Sequence, residues 1–275
     1  MDYYRLEKPH KLPARARPKA IDLFSGAGGI TLGLCNAGYN VVFCSDHDQA
    51  YEQTHGRNFP HIPFLREEIE NLDVQNIMDI ALIKPGELDM LVGGPPCQGF
   101  SIIGQRETSD PRNRLFKQFL RIAIGLQPRV VVIENVSGLA TMDSGAVLQE
   151  IVRSFTEAGY KADCAELLAA QYGVPQMRWR MFFIGWRNDL GKGGGFPQPT
   201  HGRRGIGELV PNQTISEADS KGFVTISEAI NDLPAVKSGE QARNHVHGPF
   251  SRFQEAMRAD SSGTLENHYA ARLSR

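Results

Sequence analysis

Short apolar runs alternate with longer amphipathic stretches along most of this chain. Residues 19–24 form a short apolar run, 25–29 a glycine-rich turn, and 30–37 a stretch with helical spacing that stops at Gly38. The beat then repeats. Strands are expected at 41–45, 62–65, 88–93, 129–135 and 181–186, and helices at 48–58, 115–126 and 147–158. Strands separated by helices at this spacing predict an α/β fold of Rossmann-like type, a mostly parallel sheet with helices on both faces. The nearly continuous apolar runs at 89–93 and 130–133 suit central strands buried on both faces.

The texture changes near residue 190, where a domain boundary is expected, so that 19–190 forms the main domain. Residues 188–222 are rich in Gly, Pro, Ser and Thr, and in the irregular segment 191–275 only 226–233 reads as a short helix. Residues 1–18 are rich in Pro, Arg and Lys without periodicity and read as a flexible basic arm. No internal repeat is visible.

Composition narrows the class. A chain of 275 residues, 41% hydrophobic and 22% charged, accommodates one large α/β domain with a small appendage. No apolar run approaches the roughly 20 residues of a membrane span, and the N-terminus has no apolar core of a secretory signal. Cys35, Cys44, Cys97 and Cys164 are scattered with no C-x-x-C pair. That argues against a zinc site or disulfide framework and for a reducing cytoplasm. The net charge of −1 differs from the strong positive charge of many nucleic-acid binders. Basic residues cluster locally instead, in the arm, at Arg178, Arg180 and Arg187, and at Arg203 and Arg204.

Candidate chemistry collects at strand ends, where open α/β sheets bind ligands. Gly26, Gly28 and Gly29 let backbone approach a ligand and open a helix whose first N–H groups are free. Asp46 closes the next strand, where an acid suits the two hydroxyls of a ribose. Residue 31 is Thr, so the dinucleotide fingerprint G-x-G-x-x-G is absent, which favours an adenosine ligand without a pyrophosphate. A tight strand-to-helix turn without a ligand is the plainer alternative. Pro95 and Pro96 stiffen the backbone leading to Cys97, and a lone cysteine at a strand's carboxyl end suits a nucleophile in a polar, partly exposed site. Glu134 emerges from an apolar strand, where partial desolvation favours keeping or sharing a proton. Arg178 and Arg180 alternate at strand spacing and are expected on one side.

Five segments, in order, resemble the cytosine-C5 DNA methyltransferases. They are Asp22-Leu23-Phe24-Ser25-Gly26-Ala27-Gly28-Gly29, Gly94-Pro95-Pro96-Cys97-Gln98-Gly99-Phe100-Ser101, Asp110-Pro111-Arg112-Asn113-Arg114-Leu115-Phe116, Glu134-Asn135-Val136, and Gln171-Tyr172-Gly173-Val174-Pro175-Gln176 followed by Arg178 and Arg180. The resemblance implies the S-adenosylmethionine-dependent methyltransferase fold, a reaction on C5 of a flipped-out cytosine in double-stranded DNA, and no metal. It implies that Phe24, Ser25, Gly26, Gly28, Gly29, Asp46, His47, Glu68, Ile69, Pro95 and Leu115 bind the cofactor. Glu68-Ile69 stands where the family usually has Asp-Ile. Cys97 would attack C6, Glu134 would hold N3 and the exocyclic amine, and Arg180 with Arg178 would neutralise O2. Gln98 and Ser101 would touch DNA from a loop that closes on Gly99 and Gly104.

The family's variable recognition region and its closing C-terminal helix are not recognisable in this sequence. Asn267-His268-Tyr269-Ala270-Ala271-Arg272-Leu273 resembles only the beginning of a recognition region in some members. The expected partners are therefore DNA and a second polypeptide that supplies recognition; a truncated enzyme, poorly active alone, is the other account. The family implies a prokaryotic or phage protein of the cytoplasm, associated with the nucleoid. The branch that methylates tRNA and a catalytically weak DNA-binding regulator are the alternatives within the family. A nucleotide-binding redox enzyme is disfavoured by the glycine spacing.

Overall fold

The structure is a computed structural model, described for residues 17–96, 114–140, 145–191, 193–202, 222–259 and 263–272. Residues 1–16 of the expected arm, Cys97, Gln98, Ser101, both expected loop pivots, Arg203 and Arg204 lie outside the described residues.

The larger of two compact units holds the described residues up to 167 together with 179–196. It contains α1 (Gly29–Asn36), α2 (Gln49–Asn58), α3 (Val74–Ala81), α4 (Arg114–Leu126) and α5 (Ala146–Glu157). Its strands are β1 (Lys19–Leu23), β2 (Asn40–Asp46), β3 (Phe64–Arg66), β4 (Met90–Gly93), β5 (Val130–Val136), β6 (Tyr160–Leu168, whose last residue falls outside this unit) and β7 (Trp179–Arg187). The seven-stranded sheet has the order β3-β2-β1-β4-β5-β7-β6. Strands β1 to β5 pair in parallel, and β7 runs antiparallel to β5. Strand order reverses between β1 and β4, so their carboxyl ends form a topological switch point.

Each face of the sheet has its own apolar layer. On one, α4 buries Phe116, Phe119, Leu120, Ala123 and Leu126, a stripe at helical spacing, among Ile21, Leu91, Val131 and Ile133. Truncating a fully buried phenylalanine such as Phe119 to Ala costs about 3–5 kcal/mol. On the other face, Leu34 and Phe59 pack with Ala20, Val41, Cys44 and Val92. Gly93 is forced by close packing: a Cβ there would lie 2.4 Å from the Leu23 carbonyl oxygen.

The smaller unit comprises 168–178 and the described residues from 197 onward. Its helices α6 (Ile226–Ile230) and α7 (Arg252–Arg258) pack together. Thr225 and Glu228 form a capping box on α6. Ser251 caps α7 and donates its hydroxyl to the Glu228 carbonyl at 2.6 Å. Buried Asp232 takes an ion pair from Arg258.

Several expectations need correction. The run ending at Phe24 stops being a strand at Leu23, because Phe24 turns to φ 56°. In strand β5 the positions between the buried ones are only half-buried, though Val132 still packs against the second layer. Helix α3, strand β6 and helix α7 were not anticipated, and the helix expected over 226–233 ends at Ile230. Strand β7 starts at Trp179, so Arg178 is outside it and its expected alternation with Arg180 has no strand to rest on.

Candidate functional site

The turn after β1 is fixed almost entirely by backbone hydrogen bonds. Ser25 N–H donates to the Ser45 carbonyl at 3.1 Å, and Gly28 N–H to the Ser25 carbonyl at 2.9 Å. Gly28 has φ 95°, and a Cβ there would lie 2.5 Å from the Phe59 ring, so conformation and packing both demand glycine. Phe24 adopts a left-handed φ without being glycine, which costs about 1–2 kcal/mol. Such strain often marks a functional position.

Asp46, at the end of β2, ties the turn to the neighbouring strand. Its Oδ2 accepts from Gly26 N–H at 2.9 Å, and its Oδ1 accepts from His47 N–H at 2.8 Å and Asp48 N–H at 3.3 Å. The His47 ring Nδ1 lies 3.2 Å from Oδ1. Oδ1 is thus crowded with donors, whereas Oδ2 retains acceptor capacity.

Beside this carboxylate lies a recess lined by Leu23, Phe24, Ser45, Asp46, His47, Glu67, Glu68, Ile69 and Leu72. It brings together Phe24, Asp46, His47, Glu68 and Ile69 from the expected cofactor set. Ser25 is buried, and its hydroxyl donates to the Ser45 carbonyl at 3.3 Å. Gly26 and Gly29 have open space where a Cβ would be. Leu115 lies on α4, packed against the main core.

One wall residue, Glu67, and one residue behind the wall, Arg121, belong to no motif. The Glu67 carboxylate is held below the usual range by the Asn71 amide and the Glu68 N–H. Arg121 on α4 donates to the carbonyls of Ile69 and Leu72 at 3.1 and 2.8 Å, fixing that wall.

The second half of the site is set by strand register. Gly93 pairs with Ile133, so Gly94 and Glu134 emerge together from β4 and β5. A Cβ on Gly94 would lie 3.2 Å from Glu134 Oε2. Asn135 Nδ2 donates to the Pro95 carbonyl at 3.1 Å, holding the start of the Pro-Pro-Cys segment against β5. Val136 pairs with Arg180 across the antiparallel β5–β7 ladder, which puts Arg180 diagonal to Glu134. Arg180 Nε lies 2.7 Å from Glu134 Oε1, and both side chains are about a quarter exposed, 20% and 28%. Arg180 Nη1 also donates to the Trp179 carbonyl at 2.7 Å.

Arg178 is exposed and belongs to the smaller unit, where its carbonyl accepts from Ala169 N–H at 2.9 Å. In the same segment Gln171 is buried, and its carbonyl accepts from Thr200 and His201 N–H at 2.9 Å. Among the described residues no group of His, Cys, Asp and Glu is arranged to hold a metal, and no helix is long and apolar enough to cross a membrane.

A carboxylate with spare acceptor capacity, an aromatic side chain and apolar walls suit an adenosine. A carboxylate–guanidinium pair suits a planar heterocycle with donors and acceptors on its edge. Comparison with known proteins gives the same family reading. The family model described as C-5 cytosine-specific DNA methylase matches residues 18–271. The type II methyltransferase M.AgeI of Thalassovita gelatinovora is 35% identical over 264 residues, covering 93% of this chain and 61% of its own length. M.AquIA of Picosynechococcus sp. is 36% identical over 230 residues, 78% of this chain and 89% of its own. A solved structure described as a DNA modification methyltransferase encoded within a prophage (E. coli) superposes with a TM-score of 0.65 at 28% identity, covering 86% of this chain and 63% of that one. The chain spans about half the length of several further type II methyltransferases that it matches.

Proposed function

Because this chain belongs to the C-5 cytosine-specific DNA methylase family, we propose that it carries the catalytic part of a DNA cytosine-C5 methyltransferase that uses S-adenosylmethionine. The observation that supports this most strongly is the Glu134–Arg180 pair, with Glu134 beside Gly94 at the switch point. When bound, S-adenosylmethionine supplies an electrophilic methyl group for C5. Asp46 would hold its ribose hydroxyls through Oδ2, Phe24 would lie along the cofactor, His47 would stand by the adenine, and Glu68 and Ile69 would meet the adenine edge. Pro95 and Leu115 would border the cofactor, and the Ser25–Gly29 turn would admit it.

The chain's own residues account for activation of the base. Cytosine C5 is a weak nucleophile. The Cys97 thiolate adds to C6, and the C5–C6 π electrons become those of an enamine that is nucleophilic at C5. Negative charge builds on N3 and O2 as this happens. Glu134 supplies or shares a proton at N3 and accepts from the exocyclic amine, while Arg180 neutralises O2. After C5 is alkylated, a base removes its proton, the C5–C6 double bond re-forms, Cys97 leaves as thiolate, and N3 returns its proton to Glu134. The target base must leave the duplex, which costs a few kcal/mol of pairing and stacking. Gln98 and Ser101, on the loop after Cys97, would contact the DNA.

We assign sequence recognition to protein outside these residues and take a second polypeptide as the carrier to be tested. Many relatives are longer than the matched span, and the smaller unit exposes Ile226, Val246, Phe250, Met257 and Tyr269. The test is transfer of labelled methyl groups to duplex DNA by this chain, with and without added recognition polypeptide. Stimulation of site-specific cytosine-C5 labelling by the partner is expected. Full specific activity alone rejects the partner, and labelling of tRNA in place of DNA rejects the substrate.

A further inference from the structure

Beneath the Ser25–Gly29 turn lies a buried polar cluster that the proposed chemistry does not use. Asp22 on β1, Thr31 on α1 and His55 on α2 are all 0% exposed, and Cys44 on β2 is buried beside them. Thr31 Oγ1 donates to Asp22 Oδ2 at 2.7 Å and lies 3.3 Å from His55 Nε2. With Asp22 ionised, Thr31 gives its one hydroxyl hydrogen to Asp22, so His55 Nε2 donates to Thr31 and Nδ1 is left bare. Among the described residues His55 Nδ1 has no hydrogen-bond partner, and neither does Asp22 Oδ1.

The chain His55→Thr31→Asp22 spans the glycine turn. Asp22 precedes it and Thr31 follows it, so their bond clamps both ends. His55 also lies under Gly28, where a Cβ would meet its ring at 3.3 Å. We infer that Asp22, Thr31 and His55 are positioning residues that hold the turn in the geometry that accepts S-adenosylmethionine, with Asp22 acting best as a carboxylate. This rests on the assignment of the cofactor to that turn.

Asp22 is expensive to keep. Burial pushes its carboxyl up to about 7, only partly offset by the Thr31 hydroxyl and amide, and Asp46 raises it further. The titratable groups facing it are Cys44 and Asp46 from β2 and His55 from α2; Thr31 and the paired Val92 of β4 do not titrate. Burial raises the Cys44 thiol above its ordinary value and lowers the His55 imidazole below its own. Between pH 4 and 7 the unfolded chain ionises this Asp while the folded chain keeps its proton, so its contribution to stability falls as pH rises. Above pH 7 that loss is complete. A group that lowers stability at working pH, beside a ligand turn, fits retention for binding.

The test uses the full chain with S-adenosylhomocysteine as calorimetric probe, and thermal melting without ligand. T31V is expected to bind about tenfold more weakly, the size of one lost hydrogen bond to a charged group, with T31S restoring binding. D22N is expected to bind more weakly too, yet its Tm should gain on that of the parent as pH rises from 5 to 8. The parent's affinity should rise as pH passes 7 while that of D22N stays flat, because only the parent gains a carboxylate there. A merely structural role would lower Tm and affinity together, with no such pH dependence of binding. Parent-like binding by both variants, or a parent affinity that is flat with pH, overturns the inference and leaves the proposed function standing. A parent chain that fails to bind S-adenosylhomocysteine overturns both.

Discussion

The turn after β1 and the loop after β4 leave the same edge of the sheet side by side, with Leu23 paired to Gly93. They are built by different means. The first is held by backbone N–H groups, one carboxylate and a buried polar relay, and its shape is settled within residues 22–59. The second depends on side chains brought together across strands, with Glu134 and Arg180 46 positions apart in sequence. A site made from local backbone geometry suits a ligand that is always the same. A site made from facing side chains suits proton and charge handling on a reacting ring. The proposed cofactor half and the proposed base half should therefore fail separately.

The sharpest way to break that separation is Cys97→Ser. Turnover should vanish while the Kd for S-adenosylhomocysteine stays within about twofold of the parent. Loss of cofactor binding in calorimetry would show the halves to be one. Glu134→Gln comes next, with turnover lower by about 10²–10⁴-fold, the usual contribution of a general acid or base, and the cofactor KM unchanged. Single-turnover rates measure this directly, and a change confined to KM would move Glu134 to the other half. Asp46→Ala is the complementary change. Loss of charged hydrogen bonds to a ribose should raise cofactor KM by about 10–100-fold, with kcat largely recovered at saturating cofactor. An equal fall in kcat at saturation would mean that the turn also positions the base.

Much of the larger unit was legible because its physics is local. The runs at 19–23, 90–93 and 130–136 are apolar enough to reveal strands, and α4 and α5 carry apolar stripes with helical spacing. Helix α3 also has such a stripe, and Asp73 caps it, but it is eight residues long and ends at a left-handed Leu82 where a glycine would have signalled the stop. Strand β6 has few fully buried positions, so its apolar pattern is weak. In the site, Gly26, Asp46 and Glu134 could be picked out by residue type and place. The Glu134–Arg180 pairing could not, because it depends on antiparallel register between β5 and β7. The Asp22–Thr31–His55 relay was hidden too, since each member alone looks like an ordinary polar residue in a strand or helix. Short α7 depends on Ser251 and on buried Gln254, whose amide nitrogen lies 3.4 Å from the Ser227 carbonyl, a tertiary contact that no periodicity foretells.

Strand β7 follows β6 in the chain yet lies between β5 and β6 in the sheet. During synthesis, β5 leaves the ribosome first with an unpaired edge, and the strand that fills that edge ends only at Arg187. At about 5–20 residues per second, the interval between the two strands lasts about 3–10 s. An open apolar edge is a template for mispairing over that time. Arg180 rides on this last strand, so a nascent chain completes its Glu134–Arg180 pair only as the sheet itself is completed. Until then the carboxylate and the guanidinium of the proposed base site lie on strands that have not yet met.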